Sequence, residues 1–221
     1  MFEHLLGYSE TKTVLDRFGI DLAPAELVTH EDDLLAAARK LGYPLALKAI
    51  SPEQTHKTDA GLVRLNLKDE QALCEAAAAL WACKNDLKLE GLLLQKMSPP
   101  GVETLVGVTR DPQFGGVVVF GAGGVMVELL DDVTMALPAL SPWQAEQMVH
   151  ETKIHRLLEG FRGARPCDRP ALIQLLVRVS RLALAMEGML VSLDLNPVFV
   201  LPEGQGLFVV DARMVVQGEG I

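Results

Sequence analysis

The sequence predicts an α+β chain folded as two lobes, and three observations lead there. Strand-like and helix-like segments alternate along its whole length. The Ser98-Pro99-Pro100-Gly101 turn interrupts them, and paired Pro and Gly end a strand and re-aim the chain. The 221 residues, 49% of them hydrophobic, are enough for one sizeable core or two smaller ones. Strands and helices on both sides of such a turn describe layered α+β packing. The expected organisation is an N-terminal helical segment over 1–22, a first lobe over 23–98 and a second over 99–221.

The elements follow in order. Residues 9–18 read as a short helix with Ser9 as N-cap, Val14, Leu15 and Phe18 on its apolar side, and Gly19 as its stop. A strand at 25–28, a helix at 31–41 closed by Gly42, and a strand at 45–50 come next. After the polar stretch 51–60 a strand at 62–67 leads to an alanine-rich helix at 69–84 and an apolar strand at 92–97. Past the turn lie strands at 103–109 and 117–120, the glycine cluster Gly121-Ala122-Gly123-Gly124 and a strand at 134–137. Helices at 142–151 and 169–187 follow, the second carrying Ile173, Leu176, Val177 and Ser180 at helical spacing. Two β-rich runs, 189–200 and 207–210, close the chain.

Composition excludes several classes. Cys74, Cys83 and Cys167 are odd in number and lack CxxC spacing, which argues against a disulfide framework or a structural zinc site. The amino terminus has neither a basic nor an apolar signal region, and no window reaches the roughly 18 apolar residues of a membrane span. A cytoplasmic protein with no membrane partner is the expectation. A formal charge of −9 argues against a nucleic-acid partner, whose affinity would come from Lys and Arg on phosphates. A nucleotide ligand would need its positive contacts to be local.

Four groups of residues can carry chemistry, each with a structural alternative. Lys48 interrupts the apolar run Leu45-Ala46-Leu47-Lys48-Ala49-Ile50, so it either snorkels to water or meets an anion. His56 lies in the following loop beside Lys57 and Asp59, as a surface histidine or as a phosphate acceptor whose phosphate Lys57 stabilises and whose ring Asp59 orients. The Gly121–Gly124 cluster resembles a phosphate-cradling loop, but Met126 stands where a dinucleotide fingerprint has its third glycine and no GK[ST] follows. A turn needing positive φ explains it equally well. Asp194 and Asn196 alternate onto one strand face, and with Asp211 nearby they make a hard oxygen set suited to Mg²⁺, or else turn residues bonded to backbone.

Taken in order, these segments resemble the β subunit or β-domain of the ADP-forming acyl-CoA synthetases, relatives of succinyl-CoA synthetase in the ATP-grasp superfamily. The resemblance runs from Ser9 to about Arg213. It rests on Gly42-Tyr43-Pro44 with Leu47-Lys48, on Ser51-Pro52 followed by His56-Lys57-Thr58-Asp59, and on the run from Gly107 through Asp111-Pro112 to Gly115. Phe120-Gly121-Ala122-Gly123-Gly124 with Glu128, Gly160-Phe161-Arg162-Gly163, Asp194-Leu195-Asn196-Pro197 and Val210-Asp211-Ala212-Arg213 complete it.

The resemblance implies a two-lobed ATP-grasp fold with the nucleotide between the lobes. It implies that Lys48 contacts ATP phosphates, that Gln95, Lys96 and Met97 pass the adenine, and that Glu103 contacts the nucleotide. Asn196 and Asp211, with Asp194, match magnesium ligands, and His56 matches a phosphate carrier that takes a phosphoryl group from the partner and presents it to ADP. ATP or ADP and Mg²⁺ are then the cofactors. The acyl-CoA or acid is bound through a CoA-binding α subunit or domain, in a hetero-oligomer. Two positions depart from the pattern: Ala60 precedes Gly61 where a glycine pair is usual, and Ser192 stands where a glutamate is common. They favour a second hypothesis, a regulatory domain like the synthetase-like part of some protein acetyltransferases. A carboxylate–amine ligase is disfavoured, because such an enzyme needs no histidine like His56.

Overall fold

A computed structural model describes residues 2–51, 62–82, 89–124 and 132–218. They divide into two compact units, one built from Met1–Leu22 and Ser98–Ile221, the other from Ala23–Met97.

The smaller unit is a four-stranded antiparallel sheet under two helices. Strand β2 (Ala25–Val28) leads through a 3₁₀ turn at Glu31–Asp33 into helix α2 (Leu34–Leu41), which stops at Gly42, φ 74°. Strand β3 (Leu45–Ile50) is buried at every position, β4 (Val63–Leu67) pairs beside it, and helix α3 spans Glu70–Ala82. Asp69 caps α3 by accepting the Ala72 N–H at 2.9 Å. Its buried residues Leu73, Ala76, Ala77, Leu80 and Trp81 follow the spacing of one helix face. With β5 (Gly91–Lys96) the sheet order is β2-β5-β3-β4.

The larger unit is a seven-stranded sheet. It begins with β1 (Glu3–Leu5) and helix α1 (Tyr8–Arg17), and continues with β6 (Val102–Asp111), β7 (Gly115–Ala122) and β8 (Val133–Ala136). Helices α4 (Pro142–Glu151), α5 (His155–Leu158) and α6 (Arg169–Ala185) precede β9 (Leu190–Val200), β10 (Leu207–Val209) and β11 (Ala212–Gln217). The order is β1-β11-β9-β6-β7-β8, with β10 pairing the far end of β9. One apolar core joins α1, α4, α5 and α6 to a single face of this sheet. Ser141 caps α4 with Gln144 three residues on, and Asp168 caps α6 through the Ala171 N–H at 3.1 Å. Ser180, fully buried on α6, accepts the Leu140 N–H at 2.8 Å.

The α+β alternation was legible in the sequence, and β3 and α4 occupy the expected bounds. Three differences are physical. Helix α1 starts one residue before Ser9, with Gly7 at the N-cap and Glu10 reaching back to the Gly7 N–H at 2.9 Å. Strands β1 and β11, absent from the sequence reading, form an antiparallel pair that ties residues 3–5 to residues 215–217. The buried stripe of α6 centres on Leu172, Leu175, Leu176, Val179 and Leu182, with Ile173 at its margin. Cys74 is exposed and Cys167 buried, both free thiols; desolvation pushes the Cys167 thiol up, which leaves it inert. Cys83 lies outside the described residues.

Candidate functional site

In the smaller unit Lys48 occupies the middle of β3, between Val63 of β4 and Leu93 of β5, and is only 6% exposed. Leu45, Leu47 and Ala49, with Leu92 and Leu94 of β5, belong to the core under α2 and α3. Side chains alternate along a strand, so Lys48 and Gln95 project from the opposite face, away from α2 and α3. Gln95, across from Ala46, is 1% exposed. A buried ammonium beside a buried amide is suited to anionic and hydrogen-bonding groups, because an ammonium taken from water needs compensation.

The next two residues have visible structural roles. Lys96 is exposed, and its ammonium donates to the Leu41 carbonyl at 3.3 Å, on the last turn of α2, where a cation complements the helix dipole. The Met97 N–H donates to the Pro44 carbonyl at 3.2 Å. His56, Lys57 and Asp59 lie outside the described residues, as does Glu128.

In the larger unit Val106, Val108, Leu193, Leu195, Met214 and Val216 face the helices. Glu103 on β6, Asp194 and Asn196 on β9 and Arg213 on β11 therefore alternate onto the other face of the sheet. Asp194 is aligned with Gly107 on one side and Arg213 on the other. Solvent reaches Asp194, yet desolvation by the surrounding sheet raises its carboxyl pKa. The negative charge of Asp211 raises it further, against the lowering effect of Arg213. Asp211 precedes β11 instead of lying in a strand, and its Oδ1 accepts the Ala212 N–H at 3.1 Å.

The glycine cluster lies at a junction of strands. Gly121 and Ala122 are the last residues of β7. The N–H groups of Ala122, Gly123 and Gly124 donate to the Asp132 carbonyl at 3.1 Å, the Glu103 carbonyl at 3.0 Å and Asn196 Oδ1 at 3.1 Å. Those donors are committed within the protein, which removes the phosphate-cradle reading for them. The positive-φ alternative holds only at Gly124, φ 59°. Gly121 and Gly123 are glycines for lack of room: a Cβ would fall 2.3 Å from the Asp132 carbonyl oxygen and 2.5 Å from the Thr104 backbone.

Among the described residues no three His, Cys, Asp or Glu side chains gather closely enough to hold a metal. A cation here would take two carboxylates and an amide oxygen, Asp194, Asp211 and Asn196. That set fits a hard divalent ion, since an ion would neutralise the two carboxylates that now oppose each other's charge. Asn196 Oδ1 has two lone pairs, and the Gly124 N–H occupies one. Sequence reasoning missed Arg213 as the neighbour of Asp194 and Gly124 as the partner of Asn196. No local signal reports either, because both depend on strand register.

Comparison with known proteins is consistent end to end. A family model described as an ATP-grasp domain matches residues 3–216. The chain is 38% identical over 213 residues to the β subunit of acetate–CoA ligase (ADP-forming) II from Pyrococcus furiosus, covering 95% of this chain and 90% of the relative. It is 41% identical over 214 residues to acetate–CoA ligase (ADP-forming) I from Archaeoglobus fulgidus, of which it spans 31%. Acetyl-coenzyme A synthetase 1 of Ca. Korarchaeum cryptofilum, solved with coenzyme A, Ca-AMPCP and HgCl⁺, superposes with a TM-score of 0.90 at 38% identity, over 97% of this chain and 94% of that one. In another structure of that protein, with coenzyme A and Mg-AMPPCP, a phosphohistidine segment points towards the nucleotide-binding site.

Proposed function

Since the chain belongs to the ATP-grasp domain family, among the β subunits of the ADP-forming acyl-CoA ligases, we propose that it performs the nucleotide half-reaction of such a ligase. The observation that carries this is the end-to-end match to a free β subunit, combined with a much shorter share of a single-chain relative. The remainder of that relative is where the thioester chemistry would reside. The partner is accordingly a CoA-binding chain or segment, and the setting the cytoplasm. Among the described residues no helix is long and apolar enough to cross a membrane.

In this reading a phosphoryl group passes between the His56 imidazole and the β-phosphate of ADP. The P–N bond breaks as the new P–O bond forms, and the imidazole nitrogen keeps the electron pair. Such a transfer between anionic groups needs alignment and positive charge more than covalent catalysis. Lys48 supplies charge from a position that burial makes electrostatically effective. Gln95, Lys96 and Met97 border the base, and Glu103 contacts the nucleotide. Asp194, Asn196 and Asp211 would hold Mg²⁺, which would neutralise phosphate charge.

Incubation with γ-³²P-ATP, Mg²⁺ and the CoA-binding partner tests the reading. Label stable in base and released by mild acid, together with net acyl-CoA-dependent ATP formation, is the expected result. Ser192 in place of a family glutamate, two residues before Asp194, favours a second reading as a regulatory domain. Nucleotide binding with neither label nor turnover would establish that one instead.

A further inference from the structure

Beyond the residues expected to touch the metal and nucleotide, three strands of the larger unit meet in a way that determines where the Asn196 amide points. On β6 and β9, Thr104 is aligned with Val198 and Val106 with Leu195. Leu105 alone therefore faces both Asn196 and Pro197, a bulge that re-aims the residues carrying it. Thr104 lies beside this bulge, 0% exposed, and its hydroxyl donates to the Val198 carbonyl at 3.0 Å. From the other side the end of β7 lies directly on β6. The Gly123 N–H bonds the Glu103 carbonyl at 3.0 Å, and a Cβ on Gly123 would stand 2.5 Å from Thr104 backbone atoms. That close approach brings the Gly124 N–H to Asn196 Oδ1 at 3.1 Å. A backbone N–H only donates, so the amide atom facing it is the oxygen.

We propose that Thr104 is a positioning residue for the metal-binding amide, holding the β9 bulge so that Asn196 presents its oxygen in one orientation. The inference rests on the reading of Asn196 as a magnesium ligand. Thr104 alternates onto the helix side of the sheet with Val102 and Val106, away from Asn196, and it acts by fixing the carbonyl that ends the bulge. Val198 is apolar and fully buried, so a lost hydroxyl leaves its carbonyl without that donor inside the sheet.

The test is calorimetric titration of ADP into the full chain with Mg²⁺ and with EDTA, for wild type, Asn196→Ala, Thr104→Val and Thr104→Ser, beside ¹⁵N spectra of the Asn side-chain amides. Thr104→Val is expected to weaken Mg-ADP binding roughly tenfold, the scale of one hydrogen bond, and to leave binding in EDTA unchanged. It should also shift or broaden the Asn196 side-chain amide signals. Thr104→Ser, which keeps the donor, should retain wild-type affinity and spectrum. If Asn196→Ala lowers Mg-dependent affinity but Thr104→Val does not, the positioning role is overturned and the metal site stands. If Asn196→Ala itself has no Mg-dependent effect, the reading of the site fails first. Should Thr104→Val not fold, Thr104→Ala, which also removes the donor, is compared with Thr104→Ser: a Mg-dependent loss in Thr104→Ala alone supports the proposal, and equal affinities overturn it.

Discussion

Replacing Lys48 with methionine separates the charge at this position from the space it fills. Methionine keeps an unbranched stem, so burial of the side chain against Leu93 and Val63 is retained and the ammonium is the main group lost. At 6% exposure the ammonium works where water screens it poorly, which places its bond to a phosphate in the charge-assisted class of about 1.5 to 3 kcal/mol. The dissociation constant for ADP should rise roughly 10- to 150-fold. Titration calorimetry at fixed Mg²⁺ reads this directly, and a melting curve on the same sample establishes that the variant is folded. Because the bond is to the ligand, the loss should persist when Mg²⁺ is replaced by EDTA. A folded Lys48→Met protein that binds ADP like wild type would refute the phosphate contact and leave Lys48 as a strand residue with internal partners.

Three further outcomes follow, the first from the proposed function and the other two from the structure. His56→Ala should abolish acid-labile labelling and acyl-CoA-linked ATP synthesis while Mg-ADP affinity stays within about threefold, because the ring acts in transfer more than in ground-state binding; a labelled variant would remove His56 as the carrier. Asp194 holds its proton more tightly folded than unfolded, so the stability it contributes is present below the ordinary carboxylate pKa and is lost as pH rises through the raised value. In EDTA the melting temperature of Asp194→Asn should therefore gain on wild type as pH rises through the carboxylate range, and parallel profiles would show that Asp194 is not strained. Ser180→Ala leaves the buried Leu140 N–H without its acceptor and should destabilise by about 1 to 3 kcal/mol in urea denaturation; an unchanged midpoint would mean that another acceptor replaces it.

What the sequence by itself determined is whatever depends on neighbours along the chain. Gly42 stops α2 because a positive φ suits glycine, Ser141 and Gln144 start α4, and the apolar run around Lys48 makes a strand. The lysine in that run, and the Asp-x-Asn pattern near the end, could be singled out because a charge or amide in an apolar strand needs a reason. Only the tertiary structure decided which faces carry those groups. Lys48 and Gln95 share the face turned away from α2 and α3, which cover the other one. The pairing of β1 with β11 joins residues more than two hundred positions apart, and a three-residue strand containing Glu3 and His4 has no local pattern to announce it. The glycine cluster shows the difference most plainly. Its composition suggested a loop open to phosphate, but the packing of β7 on β6 and the bulge in β9 turn its N–H groups inward, onto Asp132, Glu103 and Asn196. Strand register joins residues that composition and spacing treat as unrelated, because a hydrogen bond across a sheet depends on distance in space and not on separation along the chain.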